Sequence, residues 1–413
     1  MKQAATAQAA TDHFFADESY RQRGIMPLRL VGAASGDPYN PHSVSGVPRH
    51  LFDALERRYQ MVGRVNAALV PWQHYSVAVA TFHPSRPHWR ERFWKNELAF
   101  QFQSRNGRAS LAQIRAPYDV VFQIHALFRT TAVPSIVYVD NTHRQTLAGW
   151  PTWNPLRGRA LARWLAEEQA IYERAAHLFT MGEPAAESLR ADYGIPAERV
   201  TNVGGGANFA TLSNLTDAVR EPNILFVGKD WRRKGGEVLI AAFRRVRERF
   251  PEARLQVVGT TEAPSGPGIE VLGRVADRNT LAELYARASI FCLPSHFDPF
   301  PLVLMEAMAS GLPCVASAVC GIPEIVADGE TGVLVPPGDA ESLADALLRL
   351  LRQPAAARAM GVAGRARIEQ HLSWERVIDR MAPVLDGLVP VVEARRVVDP
   401  RLHTEIGICC GGD

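Results

Sequence analysis

Short apolar runs rich in β-branched residues alternate with longer stretches whose apolar positions return every three or four residues, and this alternation continues along most of the chain. Parallel strands joined by crossover helices produce that pattern. It is clearest in the second half. Asn223 to Val227 predicts a strand, Gly235 to Phe250 a helix with Val238, Leu239, Ala242, Phe243 and Val246 on one face, and Arg254 to Val258 the next strand. Strand Ile269 to Leu272, helix Asp277 to Ala288, strand Ile290 to Leu293, helix Leu302 to Ser310 and strands Pro313 to Ala316 and Gly332 to Val335 continue the cycle, with Gly, Pro or Asp at the turns. The first half carries a weaker version. Strands are expected near Leu28 to Ala33, Ser76 to Thr81, Asp119 to Ile124, Ser135 to Val139, His177 to Met181 and Val200 to Val203, with helices over Gly46 to Arg58, Trp89 to Gln103, Gly158 to Ala176 and Pro184 to Asp192.

The expected fold is therefore α/β, with two Rossmann-like, doubly wound parallel-sheet domains facing across a cleft. Residues 27–205 and 222–373 form the two domains on this reading, joined at 206–221, where Gly204-Gly205-Gly206 and a polar stretch break the rhythm. A helix over 374–392 is placed to pack back on the first domain, and 1–26 and 393–413 are expected to be tails. A length of 413 residues suits two domains of this size. With 47% hydrophobic and 22% charged residues the chain can build a core in each, which excludes wholesale disorder.

A net charge of +3 does not call for nucleic acid, so any electrostatic work must be local. Five cysteines in a chain of this length are no disulfide framework. Cys292, Cys314 and Cys320 lie in apolar stretches and are expected as small core residues, while the adjacent Cys409 and Cys410 lack the paired spacing of a zinc site. The first 26 residues have no signal-type apolar segment, and no run of about 18 apolar residues occurs. A cytoplasmic protein is expected.

The most specific stretch runs from Pro294 through Ser295-His296-Phe297-Asp298-Pro299-Phe300-Pro301-Leu302-Val303-Leu304-Met305-Glu306 to Pro313. It follows a strand and leads into a helix, so its loop lies at the carboxyl end of a parallel strand, where open α/β sheets bind ligands. Asp298 and Glu306 are eight residues apart, which on a helical rise of about 1.5 Å per residue separates them by roughly 10 Å. That is beyond a glycosidase acid/base pair. Two carboxylates so spaced grip the ends of one elongated ligand, or else one caps the helix and the other is solvated. The helix start adds amide donors and a positive dipole for phosphate.

The segment P-S-x-x-D-P-F-P-L-V-L-M-E-A-M-A-S-G-L-P resembles the E-x7-E segment of the retaining GT-B glycosyltransferases of family 4. The resemblance extends from Ile224-Leu225-Phe226-Val227-Gly228 through Gly321-Ile322-Pro323-Glu324 to Gly332-Val333-Leu334-Val335. It implies that Asp298 contacts the donor sugar and Glu306 the nucleotide ribose. Two departures are visible: Asp298 is one methylene shorter than the usual Glu, and Pro301 replaces a common Gly and removes a backbone donor. The family's Arg and Lys pair would fall on Lys229 and Lys234, which flank Gly228 and Gly235 at a strand end and supply point charges for a departing diphosphate. Arg232 and Arg233 beside them are expected at the surface. The resemblance places Gly46, Gly228, Arg274, Val275, Phe300, Leu302 and Val303 with Asp298 and Glu306 around the donor. His125, in D-V-V-F-Q-I-H, matches the family histidine that reaches the donor sugar. Asp140, Thr142 and His143 end a neighbouring strand and are the expected acceptor contacts.

The implied activity is transfer of a sugar from a UDP- or GDP-linked donor to a hydroxyl of a glycan, a lipid-linked acceptor or a polysaccharide precursor, with retention. No D-x-D tripeptide occurs, so no metal is expected to bridge the diphosphate, and no resident cofactor is expected. A catalytically silent nucleotide-sugar or partner-binding protein is the alternative. A nicotinamide enzyme is disfavoured because G-x-G-x-x-G is absent from Gly204-Gly205-Gly206 and its surroundings. Between Arg86 and Lys95, Trp89, Phe93 and Trp94 stand among basic residues, a composition that serves either as core or as peripheral contact with a membrane surface.

Overall fold

Twelve short apolar runs become strands in the structure, a computed structural model that describes residues 28–130, 134–208 and 221–398, with side chains as far as Leu388. The first six strands, β1 (Arg29–Ala34), β2 (Gln60–Asn66), β3 (Val120–Ile124), β4 (Ser135–Val139), β5 (His177–Thr180) and β6 (Val200–Asn202), form one sheet in the order β2-β1-β3-β4-β5-β6. The next six, β7 (Asn223–Val227), β8 (Arg254–Val258), β9 (Ile269–Gly273), β10 (Ile290–Leu293), β11 (Cys314–Ser317) and β12 (Gly332–Val335), form a second in the order β12-β11-β10-β7-β8-β9. Every pairing in both is parallel. Helices connect most of the strands and cover the sheets, so the inner strands can be apolar throughout: β3 and β10 are wholly buried.

The order matters for function. In each sheet the winding reverses once, between β1 and β3 in the first and between β7 and β10 in the second. Ligands of doubly wound sheets bind at the carboxyl ends of the strands beside that reversal. The loop after β7 carries Gly228 to Lys234, and the loop after β10 carries Pro294 to Asp298. His125 directly follows β3.

Several expectations need correction. Ser76 to Thr81 is not a strand: it falls in the helix Pro71–Ala80 and its C-cap, with Pro71 at the first helical turn and the Gln73 side chain accepting from the Val70 amide at 3.1 Å. Only Gln73 and Val77, one turn apart, are buried there. β2 went unforeseen because it is an edge strand, half-exposed along most of its length, and Gly63 interrupts it where Ile114 packs close. The expected helix Trp89 to Gln103 is two, Arg86–Trp94 and Glu97–Ala112, divided where the Asn96 side chain caps the second by accepting from Ala99 N at 2.8 Å. The last helix runs Trp374–Val398, beyond the expected end at 392. It lies against the first half: Arg380 Nε donates to the Val203 carbonyl at 2.6 Å and Tyr59 Oη to Asp386 at 2.8 Å. The expected tail at 1–26, the expected 393–413 tail from residue 399 on with Cys409 and Cys410, and most of the 206–221 linker lie outside the described residues, while 393–398 continue the last helix. Cys292 and Cys314 are buried and Cys320 is half-buried.

Candidate functional site

The loop after β7 is shaped by its glycines. A Cβ on Gly228 would lie 2.4 Å from Lys234 Cδ, so the absent side chain is what lets the lysine stem fold back over the strand end. Gly235 has φ +73°, and a Cβ there would meet the Pro294 carbonyl oxygen at 1.8 Å, so this residue joins the β7 and β10 loops by close backbone approach.

Three charges meet where the loops touch. Lys234 Nζ lies 2.8 Å from Asp298 Oδ2, and Arg233 Nη1 lies 3.2 Å from Oδ1. Arg233 Nη1 also donates to the Phe297 carbonyl at 2.7 Å, and Ser295 Oγ to Asp298 Oδ2 at 3.4 Å. Arg233, Lys234 and Asp298 are 7%, 9% and 6% exposed, and the half-buried Asp230, 3.5 Å from Arg233 Nε, adds a fourth charge that balances the cluster. Burial alone would raise the Asp298 carboxyl, but Lys234 and Arg233 outweigh it and hold the group below its ordinary value. Arg233 was expected at the surface and is instead a member of the site, while Arg232 is exposed.

Lys229 stands exposed at the loop mouth and is not drawn into the Asp298 pair. Glu306 lies in the helix Leu302–Ala309 and accepts a hydrogen bond of 3.0 Å from Tyr285 Oη. Burial raises its carboxyl, and the Tyr285 bond and the Arg278 charge pull the other way. Tyr285 gave no sequence signal beyond an apolar helical face. Leu302 and Val303 are half-buried at that helix's first turn, Arg274 is exposed and Val275 is half-buried against the core. Phe300 departs from expectation. Its ring fills the space that Gly182, Gly205 and Gly321 leave open, with a Gly205 Cβ position only 2.8 Å away, so it is a packing residue between the halves.

In the first half, His125 has φ +61°, a left-handed conformation unusual for a residue with a side chain. Its amide donates to the Tyr138 carbonyl at 2.9 Å and Gln123 Nε2 donates to its carbonyl at 2.7 Å, which together hold the turn. The ring Nε2 lies 3.3 Å from Asp140 Oδ1 at the end of the adjacent strand. Asp140 thus stands with His125. Thr142 and His143 do not fit an acceptor role. Thr142 is fully buried with its hydroxyl 2.7 Å from Ser188 Oγ, capping the helix His143–Gly149. His143 is buried with Nε2 3.1 Å from Asn154 Oδ1, and burial with the nearby Lys95 charge pushes its pKa down to about 4. The loop after β1 is strained as well: Val44 and Ser45 have φ 47° and 56° and Gly46 has φ +81°, with the Ser45 carbonyl accepting from Asn208 Nδ2 at 2.7 Å.

The two halves touch at the site. Trp153 lies over the Arg233 guanidinium at 4.4 Å and edge-on to Phe297 at 5.9 Å, and Trp150 stacks on His296 at 6.2 Å. Glu324, in the G-I-P-E segment, accepts from Glu183 N and Asn202 Nδ2, both at 2.7 Å, and so caps the helix Glu183–Ala191 from the other half.

Two facing Rossmann-like sheets, with a basic loop and an acidic helix start at the switch point of the second, define a GT-B fold of the nucleotide-sugar type. A sucrose-phosphate synthase from Thermosynechococcus elongatus shares the fold with TM-score 0.65 at 22% identity, over 88% of this chain and 100% of that one. Residues 221–353 match the family Glycosyl transferases group 1. A D-inositol 3-phosphate glycosyltransferase of Corynebacterium aurimucosum is 31% identical over 64% of this chain and 68% of the relative. A D-inositol 3-phosphate glycosyltransferase of Kribbella flavida is 34% identical over 52% of this chain, and the match spans 57% of that relative's length. The chain belongs to the group 1 glycosyltransferases, of the GT-B family 4 type.

Proposed function

We propose that the chain transfers a glycosyl residue from a nucleotide-diphosphate sugar to a hydroxyl acceptor with retention of anomeric configuration, without a metal and without a resident cofactor. The buried Lys234–Asp298–Arg233 cluster carries the reading, because it sets an ionised carboxylate between two cations at the strand ends where a diphosphate sugar would lie. In this reading Lys229, Lys234 and the first-turn amides of Leu302 and Val303 hold the diphosphate as its charge grows. Glu306, oriented by Tyr285, grips the ribose, and Gly46, Gly228, Arg274 and Val275 line the donor. Asp298 and His125 hold the sugar ring, and Asp140 fixes the histidine. The departing phosphate takes the acceptor proton on the same face, so no protein nucleophile is required. Transfer fits this site better than silent binding, since a carboxylate held ionised between two cations has work at a sugar hydroxyl that nucleotide capture alone would not need.

The acceptor class is open between a glycan, a polysaccharide precursor and a lipid-linked hydroxyl. One surface favours the last. Tyr75 and Val79 are 75% and 78% exposed, Trp72, Phe82 and Trp94 are also exposed, and Arg86, Arg90 and Arg92 lie beside them. Trp72, Tyr75 and Val79 follow helical spacing on Pro71–Ala80 and Phe82 lies just past its end, so exposed apolar side chains with a basic margin face outward, the composition that rests on an anionic membrane. Phe93 is core and Trp89 half-buried, which divides the Arg86 to Lys95 segment between the two roles expected of it. Among the described residues no helix is long and apolar enough to cross a membrane. A cytoplasmic enzyme at a membrane face is thus the proposed setting.

The test is incubation with labelled UDP- and GDP-sugars in excess EDTA, with nucleoside diphosphate release and the product's anomeric configuration read by proton NMR. Release abolished in Lys234→Ala and an α product from an α donor are expected. A requirement for a divalent ion, or inversion, sinks this reading. Co-sedimentation with anionic vesicles, lost when Trp72 and Val79 become Ser, tests the membrane setting.

A further inference from the structure

Arg233 does more than neutralise Asp298. One guanidinium bonds Asp298 Oδ1 (3.2 Å), bonds the Phe297 carbonyl (2.7 Å) and lies 4.4 Å from the Trp153 ring, while its Nε lies 3.5 Å from Asp230 Oδ2. The first two groups are on the β10 loop, and the third comes from the other half. Trp153 is itself held on both sides: its carbonyl accepts from Lys95 Nζ, the same ammonium lies 5.5 Å from its ring, and its Nε1 reaches Asp230 Oδ2 at 3.4 Å.

An aspartate reaches less far than a glutamate, so where the Asp298 carboxylate points depends on where its loop sits. Arg233 sets that position by holding both the carboxylate and the carbonyl before it. Trp153 covers the guanidinium and excludes the water that would otherwise compete for it, an arrangement in which both the cation–π contact and the ion pair strengthen. We infer that Arg233 and Trp153 are positioning residues which complete the donor-sugar carboxylate only when the two halves are closed, so that closure is sensed at Asp298. Nucleotide binding would not depend on it, because Glu306 and Lys229 lie outside this contact and Lys234 reaches Asp298 through Oδ2, the oxygen that Arg233 leaves free.

The inference rests on the transferase reading, and the test separates the two. Steady-state turnover of the active donor and calorimetric binding of its nucleoside diphosphate are measured for wild type, Trp153→Ala, Trp153→Phe, Arg233→Lys and Trp153→Ala/Arg233→Lys. Trp153→Ala is expected to lose about tenfold in kcat (roughly 1.4 kcal/mol) and to raise donor KM, with nucleoside diphosphate Kd within twofold of wild type. Trp153→Phe, which keeps a ring face, should recover most of the loss, and Arg233→Lys, which lacks the planar fork, should not. The double variant should lose no more than the worse single, since both act through one contact. Binding of the nucleoside diphosphate also reports that each variant is folded. Wild-type kcat and KM in Trp153→Ala, or a loss that follows nucleotide Kd, overturns the inference alone. Absence of nucleoside diphosphate release by wild type from every donor overturns the functional reading and this inference with it.

Discussion

Glu168 gives the sharpest test of the first half's buried polar network. Its carboxylate accepts from Tyr172 Oη at 3.0 Å, from Tyr193 Oη, and from the His143 amide at 3.1 and 3.2 Å. Burial lifts its pKa to about 7, and the bonds from Tyr193, Tyr172 and His143 only partly oppose this. The folded state therefore binds the proton more tightly than the unfolded chain between the ordinary value of 4.5 and about 7, and stability falls as pH rises through that window. His143 acts oppositely. With a folded value of about 4 against 6.5, it is neutral when folded and charged when unfolded, so its contribution grows as pH rises from about 4 to 6.5. Each displacement is worth about 3 to 4 kcal/mol at roughly 1.4 kcal/mol per unit, and the two largely offset each other where the windows overlap. Glu168→Gln keeps the acceptor and removes the titration. Relative to wild type, the variant should gain about 2 kcal/mol between pH 5 and pH 7.5, read as the change in urea midpoint multiplied by the slope. Parallel pH profiles for the two proteins would refute the assignment of the raised pKa to this carboxyl.

Two further outcomes follow from the donor site. Tyr285→Phe removes the hydrogen bond on Glu306 and should weaken nucleoside diphosphate binding about five- to tenfold by calorimetry (about 1 to 1.4 kcal/mol), more at pH 6 than at pH 8, because a carboxyl already raised by burial rises further. Lys234→Ala should lower both turnover and stability, the latter by about 3 kcal/mol because it breaks a buried pair, whereas Lys229→Ala, on an exposed residue, should lower turnover and leave the urea midpoint in place.

What could be read from the sequence follows burial. β7, β10 and β11 are buried along their whole length and apolar apart from Asn223 and Ser317 at their ends, so length and turn residues sufficed to place them. On the helix Gly236–Arg249, Leu239, Ala242, Phe243 and Val246 are buried as their spacing requires, with Val238 half-buried beside them. The pattern misled where apolar side chains face outward. Pro71–Ala80 buries only Gln73 and Val77 while Trp72, Tyr75 and Val79 stand in solvent, so the run S-V-A-V-A-T looks like a strand to any argument that assumes apolar means inside. Thr142 and His143 misled for another reason. Polar residues at a strand's carboxyl end have the look of ligand contacts, but Ser188, Asn154 and Glu168 satisfy them from within the same half.

The remaining errors share one cause. Arg233 looked like a solvated charge and Phe300 like a donor contact because local spacing carries no information about a partner from the other half of the chain. Arg233 meets Trp153 across 80 positions, and Phe300 fills a gap made by Gly182 and Gly205 on one side and Gly321 on the other. Glu324 makes the same point in polar form. A carboxylate that accepts a helix N-terminal amide and the Asn202 side chain is satisfied only while the halves are together. Opening would return both groups to water, so these bonds favour closure by less than their gas-phase strength and leave it reversible. Packing of Phe300 against glycines works in the same direction. Its ring needs the absence of a Cβ at Gly205, which would lie 2.8 Å from it, and a side chain there would push the halves apart without touching Asp298 or Glu306. An interdomain surface built from small residues, a few separate ring contacts and a few hydrogen bonds is suited to repeated opening and closing around a ligand.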